Sequence, residues 1–104
     1  MHLIQLLLPA FDNDGKPFAG ELYARVRTEL VAHFGGLTVY SRAPAKGLWA
    51  DAEGLAGVVR DDIVVYEVMA KALDRPWWTA YRQTLERAFA QESLVVRALP
   101  VDLL

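Results

Sequence analysis

The sequence contains no cysteine, so neither a disulfide bond nor a thiol nucleophile is available to this protein. Histidine is almost as scarce, with only His2 and His33, whereas a zinc site needs three or four clustered ligands. The glycine-rich phosphate and dinucleotide motifs and the nucleophile elbow G-x-S-x-G are missing as well. We therefore predict that the chain holds no metal and no cofactor.

The chain also lacks an excess of positive charge and a long apolar run. Lys and Arg total 11 against 13 Asp and Glu, a net charge of −2, whereas nucleic-acid-binding domains usually carry a basic surplus. The first apolar run, from Leu3 to Leu8, is too short for a membrane span or a secretion signal. We predict a cytoplasmic protein with neither nucleic acid nor membrane as a partner.

Apolar residues are abundant and make up 54% of the 104 residues. This length fits one domain, 1–104, that buries roughly 60–70% of its unfolded surface without a disulfide or a metal. The apolar share is slightly above the globular average. This high apolar share indicates that the protein buries more apolar surface than a single small monomer can enclose in its own core.

The first half of the chain predicts strand, helix and strand. Residues 2–8 alternate with apolar side chains on both faces, which is typical of a central strand. An amphipathic helix is expected from about 18 to 34, ended by Gly35-Gly36. A short strand over 37–41 follows, and 43–57 is expected to be a long hairpin connection with Trp49 in an extra strand or arm.

The second half repeats the pattern. Residues 63–69 again have two apolar faces and predict a second central strand. Asp74 is expected to cap a helix whose apolar stripe runs over 77–89, with Pro76 tolerated in its first turn. A last strand is expected over 93–99, before Pro100.

Strand, helix, strand, strand, helix, strand is the order of a ferredoxin-like βαββαβ sandwich, an α+β fold. Right-handed crossovers place the first and third strands in the middle of a four-stranded antiparallel sheet. Those are the two strands that are apolar on both faces, which supports the same topology. Two helices cover one face, and we predict that a homodimer formed through the sheet covers the other.

If the helices cover the face with Ile4, Leu6, Val64, Tyr66 and Val68, then Gln5 and Glu67 lie near the middle of the second face, on an apolar floor. Arg97 of the last strand is placed to join them, and the residue that the second strand adds, Val39 or Tyr40, depends on its phase. An apolar floor with a few polar groups is typical of a small-molecule site. A simple Glu67–Arg97 ion pair is the favoured alternative.

Three other residues are candidates for chemistry or binding. His33, in the last turn of the first helix, is a candidate catalytic group alongside Glu67, although packing or capping is the commoner role for a lone histidine. Tyr66 is a further ligand-binding or proton-transfer candidate. Trp49 lies outside any helical stripe, so it is a candidate for contact with a ligand or partner.

Several short motifs resemble those of a family of small bacterial domains of unknown function. They are Gly36-Leu37-Thr38-Val39, Gly47-Leu48-Trp49, the turn at 51–54, Val59-Arg60-Asp61 and Gln91-Glu92-Ser93. The resemblance spans about 9–96. It implies a dimeric, ferredoxin-like α/β arrangement and brings no known activity and no catalytic residue.

The sequence leaves three functions open. The first is a homodimer that binds a small organic molecule or another protein. The second is a cofactor-free monooxygenase, isomerase or lyase of the dimeric α/β-barrel type, with its substrate enclosed between sheet and helices. The third is an RNA-binding sheet, which is disfavoured because the expected face carries Leu, Ile, Val and Met where stacking aromatics are needed.

Overall fold

The structure, a computed structural model, describes the backbone of residues 1–50 and 58–104 and the side chains of residues 1–40 and 63–104. Its elements are β1 (His2–Pro9), α1 (Gly20–Phe34), β2 (Thr38–Ala50), β3 (Val58–Ala70), α2 (Arg75–Ala88) and β4 (Val95–Pro100). Neither of these two helices is long and apolar enough to cross a membrane.

The four strands form one antiparallel sheet in the order β2-β3-β1-β4. This order confirms the ferredoxin-like α+β prediction, with the two doubly apolar strands β1 and β3 in the middle. β1 pairs with β3 so that Leu6 lies opposite Tyr66, and with β4 so that Leu6 lies opposite Val96.

The core lies between the sheet and the two helices. From β1 and β3 it takes one alternating set of buried side chains: Ile4, Leu6, Leu8, Val64, Tyr66 and Val68. Both helices contribute to the same cluster, through Val26 and Leu30 of α1 and through Trp78, Tyr81 and Leu85 of α2. The helices therefore cover the face with Ile4, Leu6 and Tyr66, which was the condition for placing Gln5 and Glu67 on the other face.

The expected helix signals operate at both helices. Gly35 ends α1 in the left-handed conformation, with φ of 82°, and donates its N–H to Val31. The Asp74 side chain accepts the N–H of Trp77 at 3.2 Å and caps α2. At the start of α1, where no side chain caps the backbone, the Phe18 ring packs edge-on to Tyr23 and fixes the entry of the chain.

Three strands have boundaries that differ from the prediction. β2 and β3 are longer, because residues 58–62 of β3 pair with β2 beyond the end of β1 and form a two-stranded arm. Trp49 pairs in this arm opposite Val59 through its backbone, and its side chain lies outside the described residues. Pro100 belongs to β4, opposite His2, because a proline is tolerated on an edge strand.

We expect Phe89→Ala to lower the free energy of unfolding by about 3–5 kcal/mol, because the substitution leaves a cavity in a close-packed core. Phe89 is 0% exposed, and its ring lies 5.1 Å from Phe18 and 5.4 Å from Tyr23. Urea denaturation measures the loss. Phe11→Ala is the control: Phe11 is 44% exposed, and its loss should stay below about 1 kcal/mol. Equal losses for the two variants would contradict this account of the core.

Candidate functional site

The sheet face turned away from the helices, which we call the open face, carries the second alternating set of side chains. Its members are Leu3, Gln5, Leu7, Thr38, Tyr40, Ile63, Val65, Glu67, Met69, Val95, Arg97 and Leu99. All of them are half-buried or exposed. The face is mostly apolar, and such a surface in a folded domain points to an interaction.

A row of polar side chains crosses the middle of the open face. Arg97 donates its Nε–H to Gln5 Oε1 at 2.7 Å, and Gln5 Nε2 donates to Glu67 Oε2 at 2.6 Å. The three residues stand side by side on β4, β1 and β3 because Gln5 is paired with both others in the strand registers. One amide thus joins a cation to a carboxylate.

This geometry differs from the direct Glu67–Arg97 ion pair considered above. β1 lies between β3 and β4, so the backbones of the two charged residues are roughly 10 Å apart, twice the spacing of neighbouring strands. The Gln5 amide fills that gap and gives each charge one charge-assisted hydrogen bond. Both charged groups remain at the surface of the face.

Tyr40 extends the row to β2. It pairs with Val65, which makes it a diagonal neighbour of Glu67, and it stands on the open face while Val39 faces the helices opposite Tyr66. A hydrogen bond to Glu67, together with the negative charge of that carboxylate, raises the pKa of Tyr40. Arg97, Gln5, Glu67 and Tyr40 form what we call the polar row, with one residue from each strand.

Tyr66 lies apart from the polar row. It is buried in the core on the helix side, and its hydroxyl accepts a hydrogen bond from Arg27 Nη1 at 3.0 Å. The neighbouring Tyr23 hydroxyl donates to the Pro9 carbonyl at 2.5 Å, and burial raises the pKa of Tyr23. The space between sheet and helices that was considered for a substrate is occupied by apolar side chains, with no charged residue buried among the described ones.

His33 is exposed and also lies away from the polar row. Its ring stacks on Trp77, with centroids 4.2 Å apart and an angle of 11° between the planes. Trp77 in turn packs against Phe34, Trp78 and Tyr81 in an aromatic cluster between the ends of α1 and α2. The contacts of His33 in the described part of the chain are those of a packing residue.

A cleft of about 180 Å³ opens between α2 and the edge strand β4. Arg97 lines it, and neither Glu67 nor His33 does. No cluster of three metal-ligating side chains occurs among the described residues. The candidate groups of the sequence are therefore divided between the polar row, the core and the aromatic cluster.

No family model matches the chain, and no curated protein matches it either. The resemblance to the small bacterial domain family thus stays a prediction. Among solved structures, the fold is similar to that of a phage SAM lyase in complex with S-methyl-5′-thioadenosine, with a TM-score of 0.60 and 14% identity over 94% of this chain and 79% of the other. A phage SAM lyase in the apo state gives a TM-score of 0.59 at 14% identity, over 94% and 78%. The likeness is one of fold, and this fold carries at least one small-molecule enzyme.

Sequence reasoning left the place of Tyr40 undecided and did not single out Arg75 and Arg82, which line the cleft beside α2. For Tyr40, the signal is the alternation of Thr38, Val39 and Tyr40 along the second strand. A run of only three residues does not show which of them face the helices until the pairing with the neighbouring strand is known. A helical stripe shows only which residues face the core, so it gives no signal for Arg82, which lies outside the stripe.

The polar row predicts the titration of Tyr40. In Glu67→Gln the carboxylate charge is gone, so the pKa of Tyr40 should move down toward its ordinary value. A 13C NMR titration of labelled tyrosine measures this change. Because the folded-state pKa is raised, the stability that this contact contributes is complete below about pH 10 and is lost as the pH rises through the folded-state pKa.

Glu92→Gln, which removes an exposed charge elsewhere, is the control for this titration. It should leave Tyr40 unchanged. Tyr81 is an internal reference, since burial is the main cause of its raised pKa. A Tyr40 titration that is the same in wild type and Glu67→Gln would show that the two groups do not interact.

Proposed function

We propose that this protein binds a small organic molecule on the open face and that a second copy of the chain covers the site. The observation that carries the proposal is the polar row, a hydrogen-bonded cation, amide and carboxylate with a phenol beside them on an apolar sheet. Small-molecule sites combine an apolar lining with a few placed polar groups. A flat sheet supplies only one wall of such a site, so it needs a cover.

The exposed apolar residues of the open face support a second copy as that cover. Tyr40, Met69, Val95 and Leu99 are each between 42% and 50% exposed. From strand spacing and rise, a four-stranded face of this length offers only about 400 Å². A stable interface needs about 800 Å² from each partner. The arm formed by β2 and β3 would supply further area, and a two-stranded ribbon is marginally stable without a partner.

The chemistry of the polar row favours a ligand with both a positive and a negative group. Glu67 and Tyr40 stand at one end of the row and suit a cationic centre, while Arg97 at the other end suits a carboxylate or another anion. S-adenosylmethionine, a sulfonium amino acid, has this charge pattern. Since a phage SAM lyase of the same fold binds S-methyl-5′-thioadenosine, that nucleoside and S-adenosylmethionine are the first ligands to test.

The second candidate function is a cofactor-free lyase at the same site. Glu67 Oε2 is engaged by Gln5, and the Tyr40 hydroxyl lies beside the same carboxylate, so a proton acceptor and a proton donor are adjacent on the open face. The likeness of fold to a lyase favours this candidate, although one fold serves many functions.

The cytoplasmic location stays a prediction.

Whether a second copy covers the open face is tested by measuring the solution mass of wild type and of two matched variants across a dilution series. Met69 on the open face and Val31 on α1 are 48% and 47% exposed. We expect wild type and Val31→Lys to be oligomeric by light scattering and Met69→Lys to be monomeric, because a lysine on the interface would have to be desolvated. A wild-type protein that is monomeric at every concentration would refute the covering copy.

Ligand binding is tested by calorimetric titration of S-methyl-5′-thioadenosine and S-adenosylmethionine. We expect Glu67→Gln to weaken the binding of S-adenosylmethionine about tenfold, since it loses one charge contact with the cationic centre. The uncharged nucleoside should be much less affected. Glu92→Gln is the matched control, and loss of affinity in both variants alike, or no binding of either ligand to wild type, would count against the proposal.

A further inference from the structure

The outer edge of β4 is a second feature, and it is independent of the proposed function. β4 is the last strand in the sheet order, so no strand of the described chain pairs with its outer side. Val101 donates its N–H to the Met1 carbonyl at 3.0 Å, which continues the register one step beyond the pair of His2 and Pro100. This bond shows which backbone groups of β4 face β1, because hydrogen-bonded and non-bonded residue pairs alternate along an antiparallel ladder.

The alternation leaves Val96 and Ala98 with their backbone groups directed away from β1. Counted back from Val101, Leu99 and Arg97 belong to the bonded pairs. Val96 and Ala98 belong to the pairs between them, so each presents an N–H and a C=O at the outer edge. An edge of this kind is a template for pairing with a further strand.

This stretch of edge is closed at both ends. The N–H of Leu94, two residues before Val96, is bonded to the Glu86 carboxylate of α2 at 2.9 Å. Pro100, two residues after Ala98, has no N–H to donate. The donors that the edge offers between these ends therefore suit one short extended segment.

The cleft beside α2 runs along the same stretch of edge. Val96 and Ala98 turn their side chains into it, across from Trp78 and Arg75 of α2. Ala98 is exposed although it faces the helix layer, so α2 leaves this side of the edge uncovered. Side chains of an added strand that point to the helix layer would enter the cleft, since side chains alternate between the faces. Its volume of about 180 Å³ is below that of a drug-sized pocket and suits such side chains.

The charge of the cleft is positive at Arg75. This guanidinium forms no ion pair in the described part of the chain, whereas Arg82 is paired with Glu86 at 2.8 Å. The Arg97 side chain is bonded to Gln5 on the open face and belongs to the polar row. One uncompensated cation beside an apolar lining favours a single acidic side chain in the partner.

We propose that an extended segment of another protein, apolar and with one acidic side chain, adds to β4 as a further strand of the sheet. Hydrogen bonds to the backbone of Val96 and Ala98 supply affinity, and the cleft selects the side chains, as is general for strand addition. A second copy of this chain is a poorer partner for the edge. Its β4 carries Arg97 and no acidic residue, so a symmetric pairing of two β4 edges would bring in no counter-charge for Arg75.

The test is an NMR titration of the 15N-labelled full chain with a short capped peptide. In this peptide valine alternates with threonine, and the central valine is replaced by glutamate. We expect saturable shifts, and amide exchange at Val96 and Ala98 that is fast in the free protein and slows at least about tenfold in the complex. The amides of Arg97 and Leu99, already bonded to β1, should change much less.

Arg75→Glu tests the charge preference. Wild type should bind the glutamate peptide about threefold to tenfold more tightly than the same peptide with lysine, and Arg75→Glu should reverse this order. The variant should fold, because an acidic residue in the first turn of α2 suits the helix dipole. Arg25→Glu, the same change of charge on the exposed side of α1, should keep the wild-type order.

Three results would overturn the proposal: no saturable shift with either peptide, amides of Val96 and Ala98 that stay unprotected in the saturated complex, or the same peptide preference in wild type and Arg75→Glu. Protection of these two amides before any peptide is added, lost on dilution, would also overturn it and assign the edge to a second copy.

Discussion

The pairing of β1 with β3 is the constraint on which the rest of the structure depends. It places Gln5 opposite Glu67 and Leu6 opposite Tyr66, and side chains alternate between the faces from there outward. A slip of one residue in either strand would exchange its two faces and carry Gln5 or Glu67 into the core. Burying such a group without partners costs several kcal/mol, so the apolar set on the helix side fixes the register.

This register also decides what the open face can do. Apolar residues surround the polar row on both sides, so a covering surface would remove apolar area from water while meeting a line of fixed charge and hydrogen-bonding groups. In such an arrangement the apolar rim provides most of the affinity. The charged groups, already joined through Gln5, contribute specificity and register more than stability.

Periodicity was sufficient to predict the strand order and to place Gln5 and Glu67 on one face of the sheet, but it left open which face the helices cover. It was insufficient wherever the answer depends on a partner distant in sequence. Asp61 and Asp62 resemble a loop signal, but backbone pairing with β2 carries the strand through them. The phase of Tyr40 was open because the register of β2 shifts between Tyr40 and Ala45, so only the first few residues of this strand follow the main sheet. The cleft needs α2 and β4 side by side, which no local pattern contains.

β4 connects the two surfaces because it is an edge strand. The Arg97 Nε–H is donated to Gln5 on the open face, whereas Val96 and Ala98, which alternate with Arg97 along the strand, turn to the other face and line the cleft beside α2. An inner strand is flanked on both sides by other strands and could not serve both surfaces. The polar row and the cleft therefore meet at the sheet edge, on opposite faces of one strand.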